Sequence, residues 1–284
     1  MKLAQVQVRS ILTRTSGFLT TVCSHSLQPY CGCALGKSLC GAGCYVRHNA
    51  YLTKGRSWGD FVEIRTNAAE AYIAQFDRER AWAQSKAGRF GIFLSSSTEP
   101  FQPIERKARV TQSLLEAMVD RPPDFLILQS HSHHVADYLD LYPQLSARTE
   151  LRFHISIESD RDNLPGLPPS ASSVQKRMGA ARRLRDAGLR VIATVAPLLP
   201  IDQPEVFFRN LREVADAVVI DHFIGGDGSA DGSRTHRTEL PRAMAGVAPE
   251  SVTLDYRDHI VRIARNYFPG AVGVHIDGFA GRFG

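Results

Sequence analysis

The sequence predicts an α/β fold built as a partial or complete β/α barrel, and three observations carry that prediction. Apolar, β-branched runs alternate with helical periodicity five or six times along the 284 residues, the pattern of a parallel sheet with crossover helices. No G-x-G-x-x-G follows the first run, which counts against a doubly wound dinucleotide fold. Polar side chains collect at the C-terminal ends of the runs, where a β/α barrel carries its chemistry.

The elements follow in order. Strands are predicted at 18–22 (FLTTV), 90–96 (FGIFLSS), 124–130 (DFLILQS), 151–157 (LRFHISI), 189–198 (LRVIATVAPL) and 216–223 (DAVVIDHF), from apolar runs rich in branched and aromatic residues. Helical spacing marks 68–85, 104–120, 135–145, 172–188 and 204–216. The fourth of these is well bounded: Ser172 or Ser173 caps its start and Gly188 closes it, since a hydroxyl accepts from orphan N–H groups and glycine ends helices freely. Its basic residues Lys176, Arg177, Arg182, Arg183 and Arg185 are predicted to form a solvated face. The Gly/Ser-rich stretch 225–238 (GGDGSADGSRTHRT) reads as a mobile surface loop rather than a phosphate-binding one, because no helix carrying a P-loop lysine follows it.

Composition places limits. Apolar residues make up 43% and charged residues 22%, ordinary for a globular enzyme. A net charge of +5 and a pI near 9.0 suit an anionic partner such as nucleic acid. The N-terminus lacks the apolar core and cleavage site of a signal peptide, and no stretch approaches a membrane span of about 20 apolar residues. The expected location is the cytoplasm, where thiols stay reduced.

Four of the five cysteines crowd into PYCGCALGKSLCGAGCYVRHN, residues 29–49. Cys31, Cys33, Cys40 and Cys44 are spaced C-x-C, C-x6-C and C-x3-C, with His48 four residues after Cys44. Zinc usually takes two closely spaced ligand pairs, and three thiolates can hold an iron–sulfur cluster with one iron left open. Free or redox-active thiols are the third reading. The remaining strand exits offer Ser96, Ser97, Thr98 and Glu99, then Gln129, Ser130, His131, His133 and His134, then Ser156, Glu158 and Asp160.

With these motifs in hand, the chain resembles the radical S-adenosylmethionine (AdoMet) superfamily, in particular the group related to spore photoproduct lyase. SLQPYCGC is similar to that group's N-P-Y-x-G-C lead-in, CYVR to the end of its cluster motif, and SSSTEPFQPIE to its T-[DE]-P-Y-Q-P-x-E segment; RFHISIES and VIATVAPLLP resemble its later strands. The resemblance implies a partial (β/α)6 barrel of the radical AdoMet type over residues 1–250, with 251–284 as an extension packing on it. It also implies a [4Fe–4S] cluster on Cys33, Cys40 and Cys44. The open iron would bind AdoMet, and reductive cleavage would yield a 5′-deoxyadenosyl radical for hydrogen abstraction. The C-x6-C-x3-C spacing departs from the superfamily's C-x3-C-x2-C, so Cys31 stays an alternative first ligand.

Further roles follow from the same resemblance. Glu99, with Ser97 beside it, would accept from the AdoMet ammonium, and His131 would donate to its carboxylate. Ser156 matches a family serine at the fourth strand end, and Tyr45 stands where backbone meets adenine. The lyase returns a hydrogen atom from a cysteine at the second strand end. Here that neighbourhood reads Ser95-Ser96-Ser97-Thr98, so Cys31, Cys23 or Tyr30 would have to substitute, or the reaction differs. The implied partners are an electron donor such as flavodoxin or ferredoxin and, by family analogy, damaged DNA or another nucleic acid, with no membrane.

Overall fold

The computed structural model describes residues 1–284. Its strands are β1 (Lys2–Val6), β2 (Leu12–Arg14), β3 (His25–Leu27), β4 (Tyr30–Cys31), β5 (Phe61–Arg65), β6 (Gly91–Leu94), β7 (Phe125–Ser130), β8 (Glu150–Ser156), β9 (Arg190–Val195), β10 (Ala217–Ile220) and β11 (Val272–Val274). Eight of them form one sheet in the order β11-β10-β9-β8-β7-β6-β3-β2. Every pairing in it is parallel except β2 with β3. The edge strands β2 and β11 do not meet, so the barrel is open. A second, three-stranded sheet, β1-β5-β4, carries the approach to the cysteine loop.

Five predicted strands, at 90–96, 124–130, 151–157, 189–198 and 216–223, coincide with β6 to β10. A parallel strand covered on both faces reads as a continuous apolar run. One face of these strands packs against the helices through Ile92, Leu126, Leu128, Phe153, Val191 and Val218. The alternate residues Phe93, Ile127, Ile192 and Val219 fill the barrel interior together with Phe279, as the period-2 alternation of strands requires.

Other expectations need correction. FLTTV is not a strand: Gly17–Thr21 is a 3-10 turn, and the first barrel strand is β3, three residues further on. Its three-residue length and its Ser and His leave little apolar signal. The predicted helix 104–120 is two pieces, Glu105–Ala108 and Val110–Asp120, broken at Arg109, whose φ is +52°. Residues 135–145 are likewise a 3-10 turn, His133–Tyr138, and a short helix, Tyr142–Ser146. The stretch 225–238 is not a free surface loop. It wraps around buried Asp227, which accepts from Ser229 N at 2.9 Å and Thr235 N at 2.7 Å. Residues 251–284 contribute helix Leu254–Tyr267 and strand β11 to the sheet itself, rather than resting on a finished barrel.

Candidate active site

The C-terminal ends of β6, β7, β8 and β10 converge with the cysteine loop on one cavity of about 600 Å³. The loop's path is dictated by glycines. Gly32 has φ +83°, and a Cβ there would stand 2.3 Å from the Phe61 carbonyl oxygen. The chain therefore turns sharply between Cys31 and Cys33. A Cβ on Gly41 would stand 2.2 Å from the Gly36 backbone, so the turn Ala34–Lys37 and the helix Leu39–Gly43 pack backbone to backbone.

Cys33, Cys40 and Cys44 all line the cavity, whereas Cys31 does not. Cys31 is buried on β4 beside Trp58 and Phe61, its thiol 3.6 Å from the Leu52 carbonyl oxygen. All the cysteines are free thiols. Burial pushes the Cys33 thiol up, and burial lifts Cys44 to about 12; in each case neighbouring Cys40 adds to the shift. Cys40 is thus the member that interacts with both others. The three sulfurs do not by themselves close into a metal-ligand constellation. As a donor set they fit an iron–sulfur cluster: free, adjacent, largely desolvated thiols on one concave wall, which coordination would deprotonate. His48, the extra nitrogen ligand of the zinc reading, lies outside the cavity lining.

Glu99 sits at the exit of β6, buried and facing the cavity. Its Oε1 accepts from Phe101 N at 2.9 Å and Ser130 Oγ at 2.8 Å, and its Oε2 from His131 N at 2.7 Å. Burial raises its pKa against the pull of His131 and these donors. Ser97 lines the cavity beside it, as do Tyr45 and His131. The Nε2 of His131 lies 3.2 Å from Glu158 Oε1. Burial alone would lower the His131 pKa, but Cys40 and Glu158 hold it well above the usual histidine range. An imidazolium in this position can donate to a carboxylate.

Three predicted site residues, Ser156, Tyr30 and Cys31, are placed elsewhere. Ser156 is fully buried beneath the cavity floor, its hydroxyl 3.3 Å from Thr194 Oγ1. Tyr30 is also fully buried and donates to Glu105 Oε2. That carboxylate also accepts from Tyr138 OH at 3.1 Å and from Thr111 N and Gln112 N at 3.0 Å each. Tyr30 therefore ties β4 to the start of helix Val110–Asp120, and Cys31 packs in the small sheet. Neither reaches the cavity as a hydrogen donor would have to. Cys23 is equally remote, buried among the residues that fill the barrel. His133 meets Ser172 at 2.8 Å and His134 meets Asp137 at 2.8 Å, away from Glu99.

The structure adds residues that sequence reasoning missed. Arg177, expected on a solvated face, is 3% exposed and lines the cavity. Its guanidinium donates to Glu158 Oε2 and to the Ser156 carbonyl, both at 2.5 Å. The signal was available: Ala180, Ala181 and Leu184 follow at helical spacings of three, four and seven, all on the buried face. Ser173 caps that helix, leaving Ser172 free to hold His133. Asp221, at the tip of β10, is a further buried carboxylate on the cavity wall. Its Oδ1 accepts from His222 N and lies 2.9 Å from His275 Nδ1. Burial pushes the Asp221 carboxyl up against the opposing pull of His275, and the same contact raises His275. The strand-end rule applied to the first five predicted strands would also have found Asp221 at the sixth.

Seven parallel strands in an open sheet, with chemistry at their C-terminal ends, define the class as a partial β/α barrel. The fold is similar to that of spore photoproduct lyase, and the likeness covers nearly the whole chain. A lyase double variant with bound AdoMet and dinucleoside spore photoproduct superposes with a TM-score of 0.61 at 16% identity, covering 96% of this chain and 81% of the lyase. The lyase complexed with the dinucleoside photoproduct gives 0.59 at 16% identity with the same coverage. In sequence, the uncharacterized protein MJ0683 of Methanocaldococcus jannaschii is 22% identical over 175 residues, 61% of this chain. That match spans 60% of the relative's length. No protein-family model matches the chain.

Proposed function

We propose that this protein is a radical AdoMet enzyme whose [4Fe–4S] cluster is held by Cys33, Cys40 and Cys44. The observation that carries the reading is the meeting of these three free thiols with Glu99 and His131 on one cavity, in a fold shared with an AdoMet-bound lyase. When bound, the cluster supplies the electron that cleaves the AdoMet sulfonium, giving methionine and a 5′-deoxyadenosyl radical for hydrogen abstraction.

The chain's own residues have separable tasks. Glu99, fixed by three donors, presents negative charge to the AdoMet ammonium. His131, oriented by Glu158 at 3.2 Å, donates to the carboxylate. Arg177 neutralises Glu158 and fixes its orientation, so the buried carboxylate holds His131 without repelling the ligand. Tyr45 and the apolar wall exclude water from the reacting carbon.

The hydrogen-return step of spore photoproduct lyase is not carried over. The strand-end cysteine is replaced by serines, and Cys23, Cys31 and Tyr30 are all packed away from the cavity. A serine O–H bond is too strong to act as the hydrogen donor. A hydrogen-return step on this chain would therefore not use those groups, and damaged nucleic acid is the first substrate class to screen, supported by the +5 charge. A flavodoxin or ferredoxin would supply the electron. No helix is long and apolar enough to cross a membrane.

Anaerobic reconstitution with iron and sulfide tests the reading. A brown protein that forms 5′-deoxyadenosine from AdoMet on reduction is expected. A colourless protein with tightly bound zinc would overturn it, and so would a coloured one that never cleaves AdoMet.

A further inference from the structure

The half of the cavity bounded by β10 and β11 is built around a carboxylate that the roles above leave unused. Asp221 is 3% exposed, yet only its Oδ1 is engaged, by His222 N and His275 Nδ1 at 2.9 Å each. Oδ2 accepts no hydrogen bond from the protein. Beside it stands Gly226, where a Cβ would come within 2.6 Å of Oδ2, so glycine keeps that side of the carboxylate clear. Oδ2 therefore stays open to the cavity without a protein donor, and both Asp221 and Gly226 line that cavity.

His275 is held there against its own backbone preference. Its φ is +52°, a left-handed conformation that costs a non-glycine residue about 1 kcal/mol or more. The bond to Asp221 and an edge contact with Phe18, ring centroids 5.3 Å apart, accompany that conformation. Phe18 in turn packs against Phe279 at 5.8 Å, and both phenylalanines line the cavity. This side of the cavity therefore combines an aromatic wall, one free acceptor oxygen and an imidazole that holds the other oxygen of the carboxylate.

We propose that Asp221 is a substrate-recognition residue whose Oδ2 accepts a hydrogen bond from an N–H or O–H of a neutral, planar substrate group lying against Phe18 and Phe279, with His275 as its positioning partner. A neutral donor is preferred to a cation because the His275 imidazole already shares the carboxylate through Oδ1; an anionic group would meet Oδ2 directly. The inference deepens the radical AdoMet reading by assigning the substrate half of the cavity, but its test needs no AdoMet cleavage.

The test uses the full-length protein and matched probes followed by ligand-observed NMR: benzamide, N,N-dimethylbenzamide, benzamidinium and benzoate. Benzamide should bind about tenfold more tightly than the other three, the size of one hydrogen bond to a charged acceptor. In Asp221→Asn, the amide oxygen must stay on the Oδ1 side, where two N–H groups donate, so its NH2 replaces Oδ2. The preference should then invert toward benzoate. In His275→Gly, which relieves the left-handed strain, the benzamide preference should collapse while the melting temperature does not fall. A packing role alone would lower the melting temperature and leave the preference ordering intact. Equal binding of the four probes to the wild type, or an unchanged preference in Asp221→Asn, would overturn the proposal. Displacement of benzamide by saturating S-adenosylhomocysteine would overturn its assignment to the substrate half.

Discussion

Replacing Arg177 with methionine isolates the electrostatic frame beneath the candidate AdoMet site. In the wild type, burial pushes the Glu158 carboxyl up, but Arg177 and His131 hold it at about 2, against 4.5 for an unperturbed glutamate. At about 1.4 kcal/mol per tenfold change in proton affinity, that difference corresponds to about 3 kcal/mol of stability at neutral pH. The range for stranding one partner of a buried pair is similar, about 3–5 kcal/mol. Urea denaturation of the metal-free protein at pH 7 should therefore show Arg177→Met less stable by about 3 kcal/mol. Arg182→Met, exposed on the same helix, should change stability by no more than about 0.5 kcal/mol. The sign with pH is determined. Glu158 has a depressed folded pKa, so its contribution is present above the unfolded value near 4.5 and is lost as pH falls toward 2. Without Arg177 the stranded carboxylate protonates more readily, so the gap between variant and wild type should narrow from pH 7 to pH 4. A loss under about 1 kcal/mol at pH 7, or a gap that widens on acidification, would refute the assignment of Arg177 as the buried counter-ion.

Three other measurements bear on the site. Cys40→Ala should abolish iron binding after reconstitution while Cys31→Ala retains the wild-type iron content, because Cys31 packs in the small sheet; equal loss in both would contradict that ligand set. Tyr30→Phe should cost about 1.5–3 kcal/mol, the worth of a hydrogen bond to a charged group, yet leave iron content unchanged; loss of iron with no loss of stability would place Tyr30 at the site after all. His275 should titrate above 6.5 by NMR, its bond to Asp221 favouring the imidazolium, and return toward 6.5 in Asp221→Asn. A raised folded pKa means the stabilisation is present below pH 6.5 and fades as pH rises through the folded value, so an unperturbed His275 would remove the pair.

Legibility from sequence followed burial. Strands β6 to β10 were readable because helices cover one face and barrel side chains the other, leaving no polar alternation. Strand β3 was not, since its three residues include a serine and a histidine whose burial is compensated by tertiary partners: His25 reaches Glu79 at 3.1 Å and Ser24 at 3.0 Å. The small sheet was missed for a different reason: β1 is mostly exposed and is held by pairing with β5.

The sequence alone determined the alternating architecture, the clustering of thiols between residues 31 and 44, and the presence of Glu99 and His131 at adjacent strand ends. These are local properties, written in residue type, spacing and the rule that β/α barrels work at their strand exits. The tertiary structure decided which thiols share a wall. Cys31 and Cys33 are two residues apart, yet the left-handed turn at Gly32 sends one into the small sheet and the other to the cavity. It also turned Arg177 from an expected surface charge into a buried partner of Glu158, and it joined Asp221 to His275 across 54 positions. Such pairings depend on which strand ends the closing sheet brings together, and that follows from the packing of the whole barrel rather than from any one segment.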